Sequence, residues 1–320
     1  SELVNKYTAH PVAQDGYLLL ARCWWKEGNP AAAQLTLRTL EDRFPESHLR
    51  HEGNAVLGRI LLSLGQYGEV INLIEPIRIN TVEKEETAIS LMLLKTEAYL
   101  RSGKPDKAVR CAVDLLERYP DSEREKDAFY LLAESYYDLE EYFLAYSTCK
   151  AIREEYASTL NDPFLYLMAG RSLQKLGFFD KALEWLDTGL SRCTDGTLDT
   201  YEMYMLLGDL LFEMGRFERA KVVYRKVREY YDFQNEADKK YVSSLMEQKD
   251  YQSALTVIRD LVDLAVGDPG FQTDLYRMAG DCYTAQGRTD EAINAYKGIL
   301  QATVKGDNTD AGAPATAENQ

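Results

Sequence analysis

Apolar residues recur along this chain at helical rather than strand spacing. In residues 127–156, DAFYLLAESYYDLEEYFLAYSTCKAIREEY, the side chains Leu132, Ala133, Tyr136 and Tyr137 hold one face of a first segment. Ala145, Cys149 and Ile152 do the same for a second, and the break falls at Leu139-Glu140-Glu141. Two short amphipathic helices are predicted. Neither can bury its stripe alone, so the unit makes sense only when stacked on copies of itself.

Those copies are present. The small residue opening each second helix is Ala33, Val70, Ala108, Ala145, Ala182, Ala220, Ala254 or Ala292, at steps of 37, 38, 37, 37, 38, 34 and 38. Twelve residues upstream of each stands a mostly small residue: Ala21, Gly58, Thr96, Ala133, Gly170, Gly208, Val242 and Gly280. Three further on comes a large one: Trp24, Leu61, Tyr99, Tyr136, Leu173, Leu211, Leu245 and Tyr283. The small pair lets two antiparallel helices approach closely, and the large residue fills the gap to the neighbouring repeat. Five residues before the anchor, Gly28, Gly65, Gly103, Gly177, Gly215 and Gly287 occupy the turn, where glycine adopts positive φ without a Cβ clash. Glu140 and Lys249 replace it in repeats four and seven.

Pro76 should end or kink the second helix of repeat two near Glu75. The next segment, 82–102, then reads as one long helix capped by Thr81. Repeat seven has the single 34-residue step and lacks both glycines, which predicts looser packing or a bend. Residues 1–13 read as a lead-in or cap, 14–304 as the array of eight repeats with a period of 37–38, and 305–320 as a disordered tail without a large apolar residue.

The pattern of small residue, large residue, turn glycine and alanine, with proline after Phe44 and Tyr119, resembles the tetratricopeptide repeat (TPR) family. That resemblance implies an all-α, right-handed superhelical solenoid whose first helices line a concave groove. The repeats are longer than the usual 34 residues. Their length, the Tyr119-Pro120-Asp121-Ser122 ending and the Tyr136-Tyr137 pair are similar to bacterial envelope TPR lipoproteins.

Carried over position by position, the family's groove-facing residues fall first on Leu18, Arg22, Trp25 and Arg59. They continue through Leu93, Glu97, Tyr130, Glu134, Tyr137 and Asp138, then Phe164, Leu167, Arg171, Met205, Asp209, Phe212, Arg277 and Asp281. The candidate partner-binding set is Trp25, Arg59, Glu97, Tyr130, Glu134, Tyr137, Phe164, Arg171, Met205, Asp209 and Phe212, an aromatic strip with carboxylates beside it. Aromatic side chains make good anchors for a bound segment. The competing reading buries several of them between repeats. The lysine and asparagine clamp by which some relatives hold a chain-terminal carboxylate has no counterpart, since Leu18 and Arg22 stand at its positions in repeat one.

Composition narrows the partner. A formal net charge of −15 opposes binding to a nucleic-acid backbone and favours a partner with basic and apolar features. No apolar run approaches the roughly 20 residues that span a bilayer. The five scattered cysteines read as small buried apolar residues rather than a disulfide framework. No phosphate-binding loop, nucleophile elbow or zinc-protease motif is present. His48, His51 and Glu52 form a weak metal constellation, better read as a solvated helix junction. No catalytic residue, cofactor or metal is therefore expected.

The reading is a non-catalytic adaptor that holds a protein segment in the groove, in the bacterial periplasm or envelope, with a lipid anchor upstream of Ser1 in view. Its rivals are a structural subunit or homo-oligomer using the array ends or convex face, and a groove for a small molecule or glycan. A cytoplasmic setting is the alternative location.

Overall fold

The computed structural model describes residues 12–156, 161–194, 196–230 and 235–300, and among these it is helical without strands. The lead-in before residue 12 and the tail from 301 onward lie outside the described residues. Contacts divide the chain into two compact units, Ser1–Leu210 and Leu211–Gln320.

In the first unit the pairs are α1 (Val12–Lys26) with α2 (Pro30–Arg43), α3 (Arg50–Ser63) with α4 (Tyr67–Ile74), and α5 (Glu85–Arg101) with α6 (Pro105–Arg118). They continue as α7 (Glu125–Asp138) with α8 (Tyr142–Glu155) and α9 (Pro163–Lys175) with α10 (Phe179–Arg192). Helix α11 (Leu198–Glu213) opens the sixth pair and contains the division between units. The second unit holds α12 (Phe217–Tyr230), then α13 (Asn235–Glu247) with α14 (Tyr251–Leu264), and α15 (Pro269–Ala285) with α16 (Thr289–Tyr296).

The register read from the sequence is the register of the core. Every second-helix anchor is buried: Ala33, Val70, Ala108, Ala145, Ala182, Ala220 and Ala254 are fully inaccessible and Ala292 nearly so. The eight small first-helix residues are buried as well. Of the large residues, Leu61, Tyr99, Leu173, Leu211, Leu245 and Tyr283 are buried, while Trp24 and Tyr136 remain half-buried. Close approach is tightest where glycine supplies it. A Cβ on Gly170 would lie 2.8 Å from Leu186 Cδ2, and one on Gly280 2.3 Å from the Tyr296 ring.

Gly189, on the second helix α10, escaped the repeat pattern. A Cβ there would stand 2.4 Å from Met203 Cε and 2.5 Å from Cγ of the fully buried Tyr166.

The turns close with the same two backbone bonds. At the first, Gly28 N donates to Trp25 O and Asn29 N to Trp24 O; at the fourth, Glu140 N donates to Tyr137 O and Glu141 N to Tyr136 O. The six turn glycines have φ between 68° and 76°. Glu140 (62°) and Lys249 (60°) hold the same left-handed conformation despite a Cβ.

Pro76 acts as expected, with α4 ending at Ile74 and capped by Glu75. The long helix does not begin at Thr81, however. A single 3₁₀ turn, Ile79–Thr81, intervenes, and the Thr81 hydroxyl bonds backwards to Arg78 O instead of forward to a helix. Helix α5 starts at Glu85 without a side-chain cap, and it compensates by burying 12 of its 17 residues.

The seventh pair, α13 with α14, makes the sparsest contact of the pairs that lie within one unit, in keeping with Val242 in place of a small residue. It also carries Asp238, the only buried charged side chain among the described residues, which is ion-paired with Arg228.

The cysteines are all free thiols. Cys149 and Cys282 are buried, and burial pushes both thiols up to about 12. Cys111 and Cys193 are half-buried and Cys23 is exposed, so the expectation of buried cysteines holds fully for Cys149 and Cys282, partly for Cys111 and Cys193, and fails for Cys23.

The turns and the close glycine contact on α10 can both be tested. Glu140→Gly and Lys249→Gly should each stabilise the protein by about 1 kcal/mol, since each removes a Cβ from a left-handed turn. Urea denaturation midpoints check this, and unchanged midpoints would show that the positive φ is not strained. Gly189→Ala should destabilise by about 1–3 kcal/mol through overpacking against Tyr166 and Met203, read as a lower melting temperature.

Candidate binding face

The candidate site belongs to the Ser1–Leu210 unit. There α1 touches α3, α3 touches α5, α5 touches α7 and α7 touches α9, so the first helices line one continuous face. The second helices α2, α4, α6 and α8 pack from behind, each onto the first helix of the next pair. Two clefts open on this face, and α5 contributes to both.

The first cleft, of about 340 Å³, lies among α1, α3 and α5. Its charged lining is Arg22, Lys26, Arg59 and Lys84 against Glu52 and Glu86, with Trp25 as the aromatic wall. Glu52 is already engaged, paired with Lys84 and 4.0 Å from Arg22. Arg59 has no hydrogen bond or ion pair among the described residues. Although its side chain reaches solvent, its guanidinium is held below the usual arginine range, first by burial and then by the charges of Arg124 and Arg22, with Glu86 opposing.

The second cleft, of about 320 Å³, lies among α5, α7 and the start of α9. Here the balance reverses: Glu97, Asp127, Glu134 and Asp162 face Arg101 and Arg124, with Tyr130 and Phe164 beside them. The rings of Tyr130 and Phe164 meet edge to face at 5.4 Å. Asp162 fixes this corner twice over. Its Oδ1 accepts from Phe164 N at 3.1 Å, capping α9 ahead of Pro163, and its Oδ2 accepts from the Tyr130 hydroxyl at 2.6 Å. Burial, then that hydrogen bond, pushes the Tyr130 hydroxyl far above the usual tyrosine range. Tyr130 is therefore a fixed neutral wall.

Arg101 grips Glu134 with both terminal nitrogens, the second bond being 3.2 Å, and Arg124 holds Asp127 at 2.8 Å. Glu97 has no such partner among the described residues. Burial raises its carboxyl above the usual glutamate range, with the Glu134 charge adding to the shift and Arg101 opposing it.

The remaining sequence-derived candidates lie elsewhere. Tyr137 packs edge to face on Tyr142 at 5.3 Å, across the turn of its own pair. Phe212 makes the equivalent contact with Phe217 at 5.1 Å, in the Leu211–Gln320 unit. Arg171 is bonded to Glu202 at 2.6 Å, and Met205 and Asp209 are half-buried on α11. Leu18 and Leu167 are buried in the core rather than facing the groove. Arg101, Arg124 and Asp162 were missed. Only Asp162 had a legible signal, the Asp-Pro pair that opens a helix.

Beside the first cleft, His48 is exposed and His51 half-buried, with a buried and unbonded Nδ1. Among the described residues no group of three or more His, Cys, Asp or Glu side chains is placed to hold a metal ion. No helix there is long and apolar enough to cross a membrane.

These observations define an array of antiparallel helix pairs with a charged, aromatic-walled inner face. Models of the tetratricopeptide repeat match residues 15–47, 93–158, 201–230 and 242–306, together more than half of the chain. The chain belongs to the tetratricopeptide repeat family. Solved structures agree in fold. A tetratricopeptide repeat protein from Parabacteroides merdae is 16% identical, with a TM-score of 0.58 over 82% of this chain and 97% of its own. The C-terminal part of a TPR repeat-containing protein from Cytophaga hutchinsonii is 14% identical, with a TM-score of 0.61 over 75% and 92%. The apo form of RapI is 11% identical, with a TM-score of 0.62 over 89% and 96%. No curated protein is similar enough to match. Repeats of this family support a general role as a protein-interaction scaffold.

The unpaired carboxyl gives a pH-dependent prediction. Glu97→Gln should raise the melting temperature at pH 7. A carboxyl raised in the folded state destabilises the fold once ionised, so the gain should be full above its raised folded-state value and vanish below the ordinary glutamate range. Thermal melts across pH 3–8 (about the span of the ordinary and raised values) check it, and a gain independent of pH would refute the burial of that charge.

Proposed function

We propose that the protein is a non-catalytic adaptor whose first-helix face in the Ser1–Leu210 unit holds a segment of a protein partner. The observation that carries this reading is the Tyr130–Phe164–Asp162 corner. It is an aromatic wall held rigid by a helix cap and a hydrogen bond, and it opens onto a cleft instead of being sealed in the core. A rigid aromatic surface loses little entropy when a segment docks on it. The acidic lining of the same cleft suits basic side chains flanking an apolar anchor.

The bacterial envelope is the proposed location, supported by the long repeats and the Tyr-Pro-Asp-Ser ending shared in kind with envelope TPR lipoproteins. Lipid anchoring ahead of Ser1 belongs to the same proposal. Fractionation of the native cell tests it: recovery with the membrane or periplasm is expected, and recovery with the cytosol would overturn it.

The structural-subunit reading makes a different demand, because it needs the outer helices to be the contact surface. A photo-crosslinking residue at Phe164 should capture a protein partner in native cells, whereas one at the exposed Leu35 on α2 should not. Capture from Leu35 alone would favour assembly through the outer face.

A further inference from the structure

One register position on the first helices of the Ser1–Leu210 unit carries a charge in every repeat. It runs Arg22, Arg59, Glu97, Glu134, Arg171 and Asp209 at steps of 37 or 38 residues. Arg22, Glu134 and Arg171 have counter-ions in Glu52, Arg101 and Glu202 on neighbouring helices, and Asp209 is engaged as well. Arg59 and Glu97, on adjacent helices, have none among the described residues.

Each has like charge beside it. Arg124 and Arg22 lie near Arg59, with Glu86 opposing them, and Glu134 lies near Glu97, where Arg101 on the same helix opposes it more strongly without bonding to Glu97. The clefts around them repeat the sign. The one at Arg59 carries four cationic and two anionic side chains, and the one at Glu97 carries four anionic and two cationic. An unpaired arginine in a mostly cationic cleft therefore stands next to an unpaired glutamate in a mostly acidic one. An occupant of opposite polarity removes both conflicts together.

We infer that this face is a binding site for an extended protein segment that seats a carboxylate side chain on Arg59 and a cationic side chain on Glu97. The inference rests on the groove reading given above and adds the charge order of the partner. Packed helices lie about 8–10 Å apart, and an extended chain advances about 3.3 Å per residue, so the acid and the base should stand about three residues apart. Trp25 at one end and the Tyr130–Phe164 corner at the other supply apolar ground for the flanking residues. Like-charge repulsion rejects the reverse order.

The probe is a displayed library of extended nonapeptides carrying one Glu and one Lys, in both orders and at every spacing, with apolar or neutral residues elsewhere. The wild-type protein should enrich one order, with a spacing of about three residues (the helix separation divided by the extended rise). Arg59→Glu and Glu97→Lys should each weaken the selected peptide about tenfold or more, the scale of one lost charge contact. The double exchange R59E/E97R should bind the peptide of reversed order and reject the original. Both side chains reach solvent, so melting temperatures should stay within a few degrees, and the fold is checked in that way. Peptides selected without preference for charge order would overturn the inference and leave the groove reading standing. Absence of any selected peptide, from a folded protein, would overturn both.

Discussion

Everything in this molecule depends on how closely two helices can approach. A helix pair in water gains stability only if its apolar stripe is covered, and here the stripe is too broad for one partner helix. The alanine anchors solve the first contact: Ala33, Ala108, Ala145 and Ala182 are fully inaccessible, and their small side chains let the two helices of a pair pack closely. That contact frees the larger residues, such as Leu61, Tyr99 and Leu173, to face the next repeat. Stability is therefore passed along the array from neighbour to neighbour. Position by position, small side chains set the spacing and large ones fill it.

This division of labour explains what the sequence made legible. Side-chain size at fixed spacing is a direct record of which positions touch, so the eight anchors, their small partners and the turn positions can be read from the residues alone. Glu140 and Lys249 show how strong the record is, since both adopt the conformation of the glycine they replace. Pro76 was equally plain, because the loss of an N–H and the ring clash act locally.

Contacts between residues distant in sequence left no such record. Thr81 looked like a helix cap, yet its hydroxyl found Arg78 O behind it, and nothing in the local sequence decides between the two. Tyr137 and Phe212 sit at family groove positions but have aromatic neighbours five residues on, in Tyr142 and Phe217, and ring–ring packing across the turn claims them. Tyr130 has no such neighbour and stays on the cleft, where Asp162, 32 residues away, holds its hydroxyl. Leu18 and Leu167 hold the same register position as Tyr130, three residues before the small residue, yet both are buried, so that position alone does not decide which side chain faces the cleft.

Charge shows the limit of composition most clearly. A net charge of −15 describes the field far from the protein, where it favours a basic partner. Within about a Debye length (~8 Å at physiological salt) the local arrangement takes over, and it contains a cationic cleft as well as an acidic one. Ion pairs such as Arg101–Glu134 and Arg171–Glu202 brace neighbouring first helices against each other, so most of the charge on this face serves the array itself. The charges left without partners are then the informative ones. Arg59 and Glu97 contribute nothing to the bracing, and burial disfavours the charged form of each, with Arg124 and Arg22 adding to the effect at Arg59. A scaffold gains no stability from that arrangement, but a binding face gains selectivity, because the wrong charge order meets repulsion at two adjacent helices and the right order is attracted at both.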